Sequence, residues 1–194
     1  MADTFRTILA PTQATYKEKG SKFLAHAFPV QTEEEVKSCL KKLKKQYYDA
    51  RHHCYAYILG SESTQYRAND DGEPRHSAGD PILGQIRSHQ LTNTLVVVVR
   101  YFGGTKLGVG GLINAYKKAT SLALQQATIT EKTIYLSLQV TYPYEATAEV
   151  MPLIEKRGLV ILQQSFTARC HLTIGVTKSD WEEVNALLAP WVVA

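Results

Sequence analysis

The sequence predicts an α+β protein with two domains, residues 1–130 and residues 131–194. Two features of the chain lead to this prediction. Strand-like apolar runs and amphipathic helical segments alternate along its 194 residues, a length that suits one large domain or two small ones. The formal charge also changes sign, from +6 over residues 1–130 to −2 over residues 131–194, so the first domain is the expected contact for a polyanion.

Local signals in the first domain predict five strands and three helices. Thr32 and Glu35 have the spacing of a capping box, and Asp80 before Pro81 fits an N-cap followed by a first helical residue. The expected elements are, in order, two strands within residues 4–30, a helix at 32–47, strands at 52–59 and 64–68, a helix at 81–88, a central strand at 95–99, and a helix that buries Leu112, Ala115, Tyr116, Ala119, Leu122 and Ala123.

The second domain has the predicted order β-α-β-β-α, which is typical of a ferredoxin-like split βαβ unit. Nothing in this domain indicates catalysis, and His171 is expected to be a structural residue of a strand. The expected elements are a strand at 133–141, a helix at 144–157, a hairpin of strands at 159–166 and 168–176, a helix that ends at Leu188, and a candidate fourth strand at 191–193.

Residues 95–118 join the central strand to a helix through a glycine-rich bend at 103–111. Arg100, Tyr101 and Phe102 bring a charge and two rings to the end of the strand. Glycines so close together are expected where the backbone needs a positive φ or lies against another segment. The helix N-terminus would then form an anion-binding corner, with a tight structural turn as the alternative. The spacing matches neither the Walker pattern nor the dinucleotide-binding pattern.

An acidic turn at residues 69–79 contains three carboxylates within four residues. Asp70, Asp71 and Glu73 repel one another unless a positive group or a divalent metal lies close. The candidate partners are Arg75, Arg100, Lys106, backbone N–H groups or a divalent metal. If the chain has a site here, we expect Arg100 and Lys106 to converge with these carboxylates on one surface. The acidic turn and the glycine-rich bend would then face each other across a shared cleft.

Composition excludes several other classes of protein. No apolar run approaches the ~20 residues that span a bilayer, and no signal peptide is evident, so we expect no membrane partner. Cys39, Cys54 and Cys170 lack C-x-x-C spacing, which favours reduced thiols in the cytoplasm. Motifs of hydrolases and zinc proteases are missing, and no residue is assigned a catalytic role.

Three motifs resemble the YigZ/IMPACT family: DDGEP at 70–74, SAGDPIL at 77–83 and RYFGGTKLGVGG at 100–111. The resemblance implies an N-terminal α/β domain similar to the second domain of ribosomal small-subunit protein S5, followed by a ferredoxin-like domain. Eukaryotic relatives are linked to translational control, and the resemblance implies no securely assigned activity. The chain departs from the family pattern at His76-Ser77, usually Gly-Thr, and at Asn114, usually Arg, which removes a cation from the start of the helix.

Three functions remain as hypotheses. Binding to RNA or the ribosome, with a role in translation regulation, is favoured because cations of the first domain accompany rings that can stack on bases. The alternatives are an enzyme that acts on a small phosphorylated or anionic ligand with Mg²⁺, and an architectural role with a protein partner. The rings of Tyr101 and Phe102 are expected in the core unless they contact a ligand. The predicted cleft residues are Asp70, Asp71, Glu73, Arg75, His76, Arg100, Tyr101, Phe102, Gly103, Gly104, Lys106, Gly108, Gly110, Gly111 and Asn114.

Overall fold

The computed structural model describes residues 3–193, which form two compact units. The first unit comprises residues 5–132, and the second comprises residues 3–4 with 133–193. The mixture of helices and largely antiparallel sheets confirms the predicted α+β class. No helix within residues 3–193 is both long enough and apolar enough to cross a bilayer.

The elements of the first unit are, in chain order, β1 (Thr4–Ile8), β2 (Thr12–Glu18), β3 (Ser21–Pro29), α1 (Glu33–Gln46), β4 (His52–Leu59), β5 (Gln65–Asn69), α2 (Gly79–Ser88), β6 (Thr94–Tyr101), α3 (Gly108–Gln125) and β7 (Ile129–Thr133). Five of the strands form an antiparallel sheet in the order β2-β3-β6-β4-β5, with β6 in the centre as predicted. A separate two-stranded sheet pairs β1 with β7.

Helices cover both faces of this sheet, so β6 is buried on both sides. Val96 and Val98 pack against α2 and α3 in the larger core, whereas Leu95 and Val97 pack on the other face beneath α1. Because side chains alternate along a strand, Arg100 follows Val96 and Val98 onto the α3 face. The sheet therefore places the charged Arg100 side chain in the otherwise apolar layer between β6 and α3.

The start of the chain differs from the prediction, because residues 4–30 form three strands rather than two. β1 leaves the main sheet and pairs with β7, which lies more than a hundred residues further along the chain. The predicted strand at 133–141 is also interrupted, since β7 ends at Thr133 and the next strand begins at Leu136. Alternation alone could not reveal that break, because apolar residues continue through it.

Two predicted helix details are also wrong. Asp80 does not cap α2, which begins one residue earlier at Gly79 and takes its cap from Asp70. On α3, Leu122 is 37% exposed, while Leu124 is buried in its place. The Thr32 cap of α1 is confirmed, since the Glu35 N–H donates to the Thr32 hydroxyl at 3.2 Å. The Glu35 carboxylate accepts the N–H of Gln31 at 2.6 Å, one residue before the partner that a capping box predicts.

The second unit has the predicted β-α-β-β-α order, with the sheet order β8-β10-β9. Its elements are β8 (Leu136–Tyr142), a 3-10 turn (Tyr144–Ala146), α4 (Thr147–Lys156), β9 (Val160–Phe166), β10 (Cys170–Val176) and α5 (Trp181–Leu188). The candidate fourth strand is reduced to one antiparallel bridge between Val140 and Val192. The three-stranded sheet buries one face under α4 and α5. Its other face carries Gln139, Thr141, Gln163, Ser165, His171 and Thr173.

Candidate functional site

The end of β6 places a buried cation beside an exposed ring. The Arg100 side chain is 8% exposed, whereas Phe102 is 59% exposed, which contradicts the core interpretation of that ring. The Arg100 guanidinium lies 5.5 Å from the centroid of the buried Phe23 ring and 5.7 Å from that of Phe102. The cation therefore links a core ring to a surface ring.

Tyr101 belongs to the opposite face of the sheet and is partly buried. Its hydroxyl donates a hydrogen bond of 2.7 Å to the carboxylate of Asp49. That bond raises the pKa of Tyr101 to about 12. The phenol therefore stays protonated at neutral pH and acts as a donor.

Glu73 is the carboxylate that meets Arg100. Its side chain is 4% exposed, and its Oε1 accepts hydrogen bonds from Arg100 Nη1 at 2.6 Å and from the Tyr116 hydroxyl at 2.8 Å. The pairing uses one guanidinium nitrogen rather than a bidentate fork. Cys54 extends this buried network, with its Sγ 3.3 Å from the Tyr116 oxygen. Burial raises the pKa of both Cys54 and Tyr116, so both remain protonated donors.

Asp70 is used to hold the start of α2. Its Oδ1 accepts the backbone N–H groups of Ala78 and Gly79, at 3.0 and 2.8 Å, and its Oδ2 accepts the N–H of His76 at 2.9 Å. Burial raises the pKa of Asp70, but these three bonds outweigh burial and the net pKa is lowered. The carboxylate is therefore part of the fold rather than of an open surface.

Asp71 is directed towards β4 and α1. Its Oδ2 accepts the backbone N–H of His53 at 2.7 Å, and its Oδ1 lies 3.7 Å from the Lys44 ammonium group. Its own N–H donates to the Asn69 side chain at 2.8 Å, in a backbone with φ of +41°. The structure therefore does not bring Asp70 or Asp71 to the surface that Glu73 shares with Arg100 and Lys106.

The acidic turn and the glycine-rich bend nevertheless share a cleft. We call it the apolar cavity; its volume is about 300 Å³, and it is lined by Glu73, Pro74, Arg100, Phe102, Lys106, Leu107, Gly108, Val109 and Leu112. A neighbouring polar cavity of about 420 Å³ is lined by Asp49, Ala50, Arg51, His52, Arg100, Tyr101 and Phe102. The guanidinium at 100 and the ring at 102 therefore form a wall common to both cavities.

The five glycines have different roles. A Cβ on Gly103 would lie 1.8 Å from the backbone carbon of Gly20, so the two segments can touch only without a side chain there. Gly104 and Gly108 have positive φ values of +89° and +69°. Gly110 and Gly111 lie inside the first turns of α3, where the bend was expected to continue. No side chain caps the N-terminus of α3, so its first-turn N–H groups remain available beside the apolar cavity.

The remaining predicted residues lie around the site, and they do not contact one common partner. Arg75 and Asn114 are exposed and do not line either cavity. The His76 ring is 2.5 Å from the Asp80 carboxylate, while the Ser77 hydroxyl donates to the carbonyl of Pro74. Within residues 3–193, no three histidine, cysteine or carboxylate side chains are grouped as a metal site would require.

Sequence reasoning missed several residues that shape the site. Tyr116 was recognised only as a buried residue of α3, although its hydroxyl holds Glu73. His52 was predicted only as the first residue of the strand at 52–59, and Arg51 only as the residue before it, although both line the polar cavity. Val109 lies between two glycines, and nothing in the sequence predicted that it lines the apolar cavity. The acidic turn, the glycine-rich bend and the Arg100 charge at the end of an apolar run predicted the region, but they did not predict these residues of its lining.

These features define an α+β protein in which the end of a central strand carries a cation and an exposed ring between two cavities. Residues 19–124 match the family described as the Impact N-terminal domain. The chain therefore belongs to the IMPACT family.

Individual relatives agree with this assignment. The IMPACT family member YigZ of Escherichia coli is 31% identical over 182 residues, 93% of this chain and 89% of that protein. The family member YvyE of Bacillus subtilis is 41% identical over 124 residues, and that match spans 64% of this chain and 57% of the relative. A crystal structure of a hypothetical protein superposes with a TM-score of 0.75 at 29% identity, over 98% of this chain and 93% of the other.

Proposed function

We propose that this protein binds single-stranded RNA at the end of its first sheet and acts in translation regulation in the cytoplasm. The observation that carries the proposal is the Phe102 ring, which is 59% exposed and stacked near the Arg100 guanidinium. A solvent-exposed ring backed by a fixed cation is the kind of platform on which unstacked bases bind.

The charges around the ring support the same proposal. Lys22 is exposed and lies opposite Tyr101 in the pairing of β3 with β6. Arg51 lines the polar cavity and Lys106 the apolar cavity, so cations flank the ring on both sides. The N-terminus of α3 adds backbone N–H groups that favour anions. Phosphates on either side of a stacked base would therefore meet positive charge.

The acidic turn does not oppose this arrangement. Glu73 is neutralised by Arg100, and Asp70 and Asp71 accept backbone N–H groups. Asp70, Asp71 or Glu73 was the expected Mg²⁺ ligand or general base of the enzyme alternative. Because each of these three carboxylates already has a partner within the protein, the geometry gives that alternative no free carboxylate pair.

The proposed target is ribosomal or messenger RNA, because the resemblance to the IMPACT family implies translational control. The proposed cytoplasmic location is supported by Cys39, Cys54 and Cys170, which are free thiols. Free thiols are typical of a reducing compartment.

The proposal is tested by fluorescence anisotropy with a labelled single-stranded RNA of about 12 nucleotides. Affinity should fall steeply between about 50 and 200 mM salt. Lys106→Ala should reduce the slope of the logarithm of the binding constant against the logarithm of the salt concentration by about 0.7. Phe102→Ala should weaken binding about 5- to 150-fold with little change in slope, because one stacked base contributes about 1–3 kcal/mol.

Tyr66→Ala is the matched control. Tyr66 is 54% exposed and has the Arg87 guanidinium 4.5 Å from its ring, but it pairs with Ile58 near the other end of the sheet. Removing this ring should leave RNA affinity unchanged. Equal losses for the two ring variants, or an affinity of the full chain no stronger than non-specific binding, about 10⁻⁴–10⁻⁶ M, would contradict the proposal.

A further inference from the structure

We propose that the apolar and polar cavities together bind one nucleoside phosphate, with the base in the apolar cavity and the phosphate in the polar cavity. The identity of the ligand rests on the proposed RNA binding, and the division of the site rests on the geometry of the two cavities.

The apolar cavity fits a flat, weakly polar group. Leu107, Val109 and Leu112 supply aliphatic surface, and the Phe102 ring supplies an aromatic wall. The Glu73–Arg100 pair lies at the same wall with its charges matched. A volume of about 300 Å³ is at the lower end of small-ligand sites. These properties suit the flat face of a nucleobase.

The polar cavity fits the ribose and phosphate. Arg51 lines this cavity and is exposed, so it supplies a cation. The His52 Nδ1 lies 2.9 Å from the Asp71 carbonyl oxygen, which can only accept a hydrogen bond. The neutral ring therefore carries its proton on Nδ1 and leaves Nε2 as an acceptor. Asp49 provides a second acceptor, so the cavity offers a cation for phosphate and acceptors for hydroxyl groups.

Arg100 links the two cavities and is incompletely satisfied. Its side chain is 8% exposed, and its Nη1 donates to Glu73. Its Nε has no hydrogen-bond partner among the residues that the structure describes. Buried donors without acceptors are rare, and leaving one unpaired is costly. Because Arg100 lines both cavities, a ligand oxygen at this wall would supply the guanidinium with an acceptor that the described residues do not provide.

A free mononucleotide and one residue of an RNA strand present the same chemistry to this site. The test therefore measures AMP, adenosine and inorganic phosphate by calorimetry, and the labelled RNA by anisotropy, on the full chain. Val109→Trp fills the apolar cavity from a side chain that is 53% exposed. Ile113→Trp is the matched control, because Ile113 is an exposed apolar residue of α3 that does not line the cavity.

Wild-type protein should bind AMP more tightly than adenosine or phosphate. Val109→Trp should weaken AMP about tenfold or more, while Ile113→Trp leaves AMP affinity unchanged. Arg51→Ala should reduce AMP affinity to that of adenosine without changing the affinity for adenosine. Thermal unfolding of both tryptophan variants establishes that they are folded to the same extent.

The outcomes separate this inference from the proposed function. If Val109→Trp weakens the RNA but wild-type protein binds no AMP, the site stands and takes its nucleotide from a strand. If AMP binds with the expected variant pattern and RNA does not bind, the site stands and the proposed RNA function is wrong. If Val109→Trp changes the affinity for neither AMP nor RNA, while Phe102→Ala still weakens RNA binding, the nucleotide site is wrong and the proposed function stands. If neither ligand binds, both are wrong.

Discussion

The acidic turn and the glycine-rich bend line the same cavity, yet they use their polar groups in opposite ways. In the acidic turn, Asp70 and Asp71 accept backbone N–H groups, and Glu73 is buried against Arg100. In the bend, Lys106 is exposed and the first turn of α3 has no side-chain cap. The turn stabilises the fold, and the bend leaves donors for a ligand.

This difference shows that charge in a sequence does not by itself indicate a binding surface. The turn has three carboxylates, but the chain folds so that backbone N–H groups donate to two of them, Asp70 and Asp71. The bend has one lysine, but its glycines hold backbone donors next to open space. Variants of each region should therefore separate loss of stability from loss of binding.

Gly103→Ala should have the largest effect on stability. The added Cβ would lie 1.8 Å from the Gly20 carbon and 2.1 Å from the Ser21 nitrogen, both of which are backbone atoms that cannot move aside alone. We expect a loss of about 5 kcal/mol in the free energy of unfolding, at the extreme for single substitutions. Urea denaturation measures this loss.

Gly110→Ala is the control for that variant. Nothing lies within 4 Å of a Cβ at Gly110, which is inside α3. Alanine should raise stability by up to about 1 kcal/mol, because it has the higher helix propensity. Similar losses for the two variants would show that the contact with Gly20 is not what requires glycine.

Glu73→Ala should have the next largest effect. It leaves the Arg100 guanidinium buried without its carboxylate, and removing one partner of a buried ion pair costs about 3–5 kcal/mol. Glu73→Gln keeps an oxygen for Tyr116 and should cost less. If urea denaturation gives both variants a loss below about 1 kcal/mol, the pair behaves as an exposed salt bridge and the buried network is wrong.

Asp70→Asn should have the smallest effect of the three, about 1–3 kcal/mol at neutral pH. The amide would place a donor against the His76 N–H, which now donates to Oδ2. The folded state lowers the pKa of Asp70 below its ordinary value of 3.8. Its contribution is therefore complete above that value and is lost as the pH falls through the lowered pKa.

The pH dependence of unfolding checks this assignment. Wild-type stability should fall more steeply below about pH 4 than that of Asp70→Asn, because only wild type loses the Asp70 contribution there. The two curves should converge in acid. Curves that stay parallel from neutral to acidic pH would show that Asp70 does not provide the cap of α2.

Features that depend on neighbouring residues were predictable from the sequence. The apolar run in β6 predicted the central strand, and Thr32 with Glu35 predicted the start of α1. The order of the second unit followed from the alternation of its strands and the apolar spacing of its helices. In each case the periodicity or the cap lies within one element.

Features that depend on distant partners were not predictable. The pairing of β1 with β7, the Asp70 cap of α2 and the bond between Tyr116 and Glu73 all join residues that are far apart in the sequence or outside the element they stabilise. The spacing of buried residues along a helix is the same whether or not the hydroxyl of one of them donates to a carboxylate, as that of Tyr116 does. The cleft at Glu73 and Lys106 was expected, but its apolar lining was not.

The polar face of the second unit has a consequence for experiments on the whole chain. Its side chains, such as Gln139, Thr141 and Thr173, have donors and acceptors for hydrogen bonds but carry no charge. Contacts made there would release few counterions, so their strength would hardly change with ionic strength. Any affinity that persists both in concentrated salt and in Phe102→Ala would accordingly trace to this uncharged sheet rather than to the end of the first.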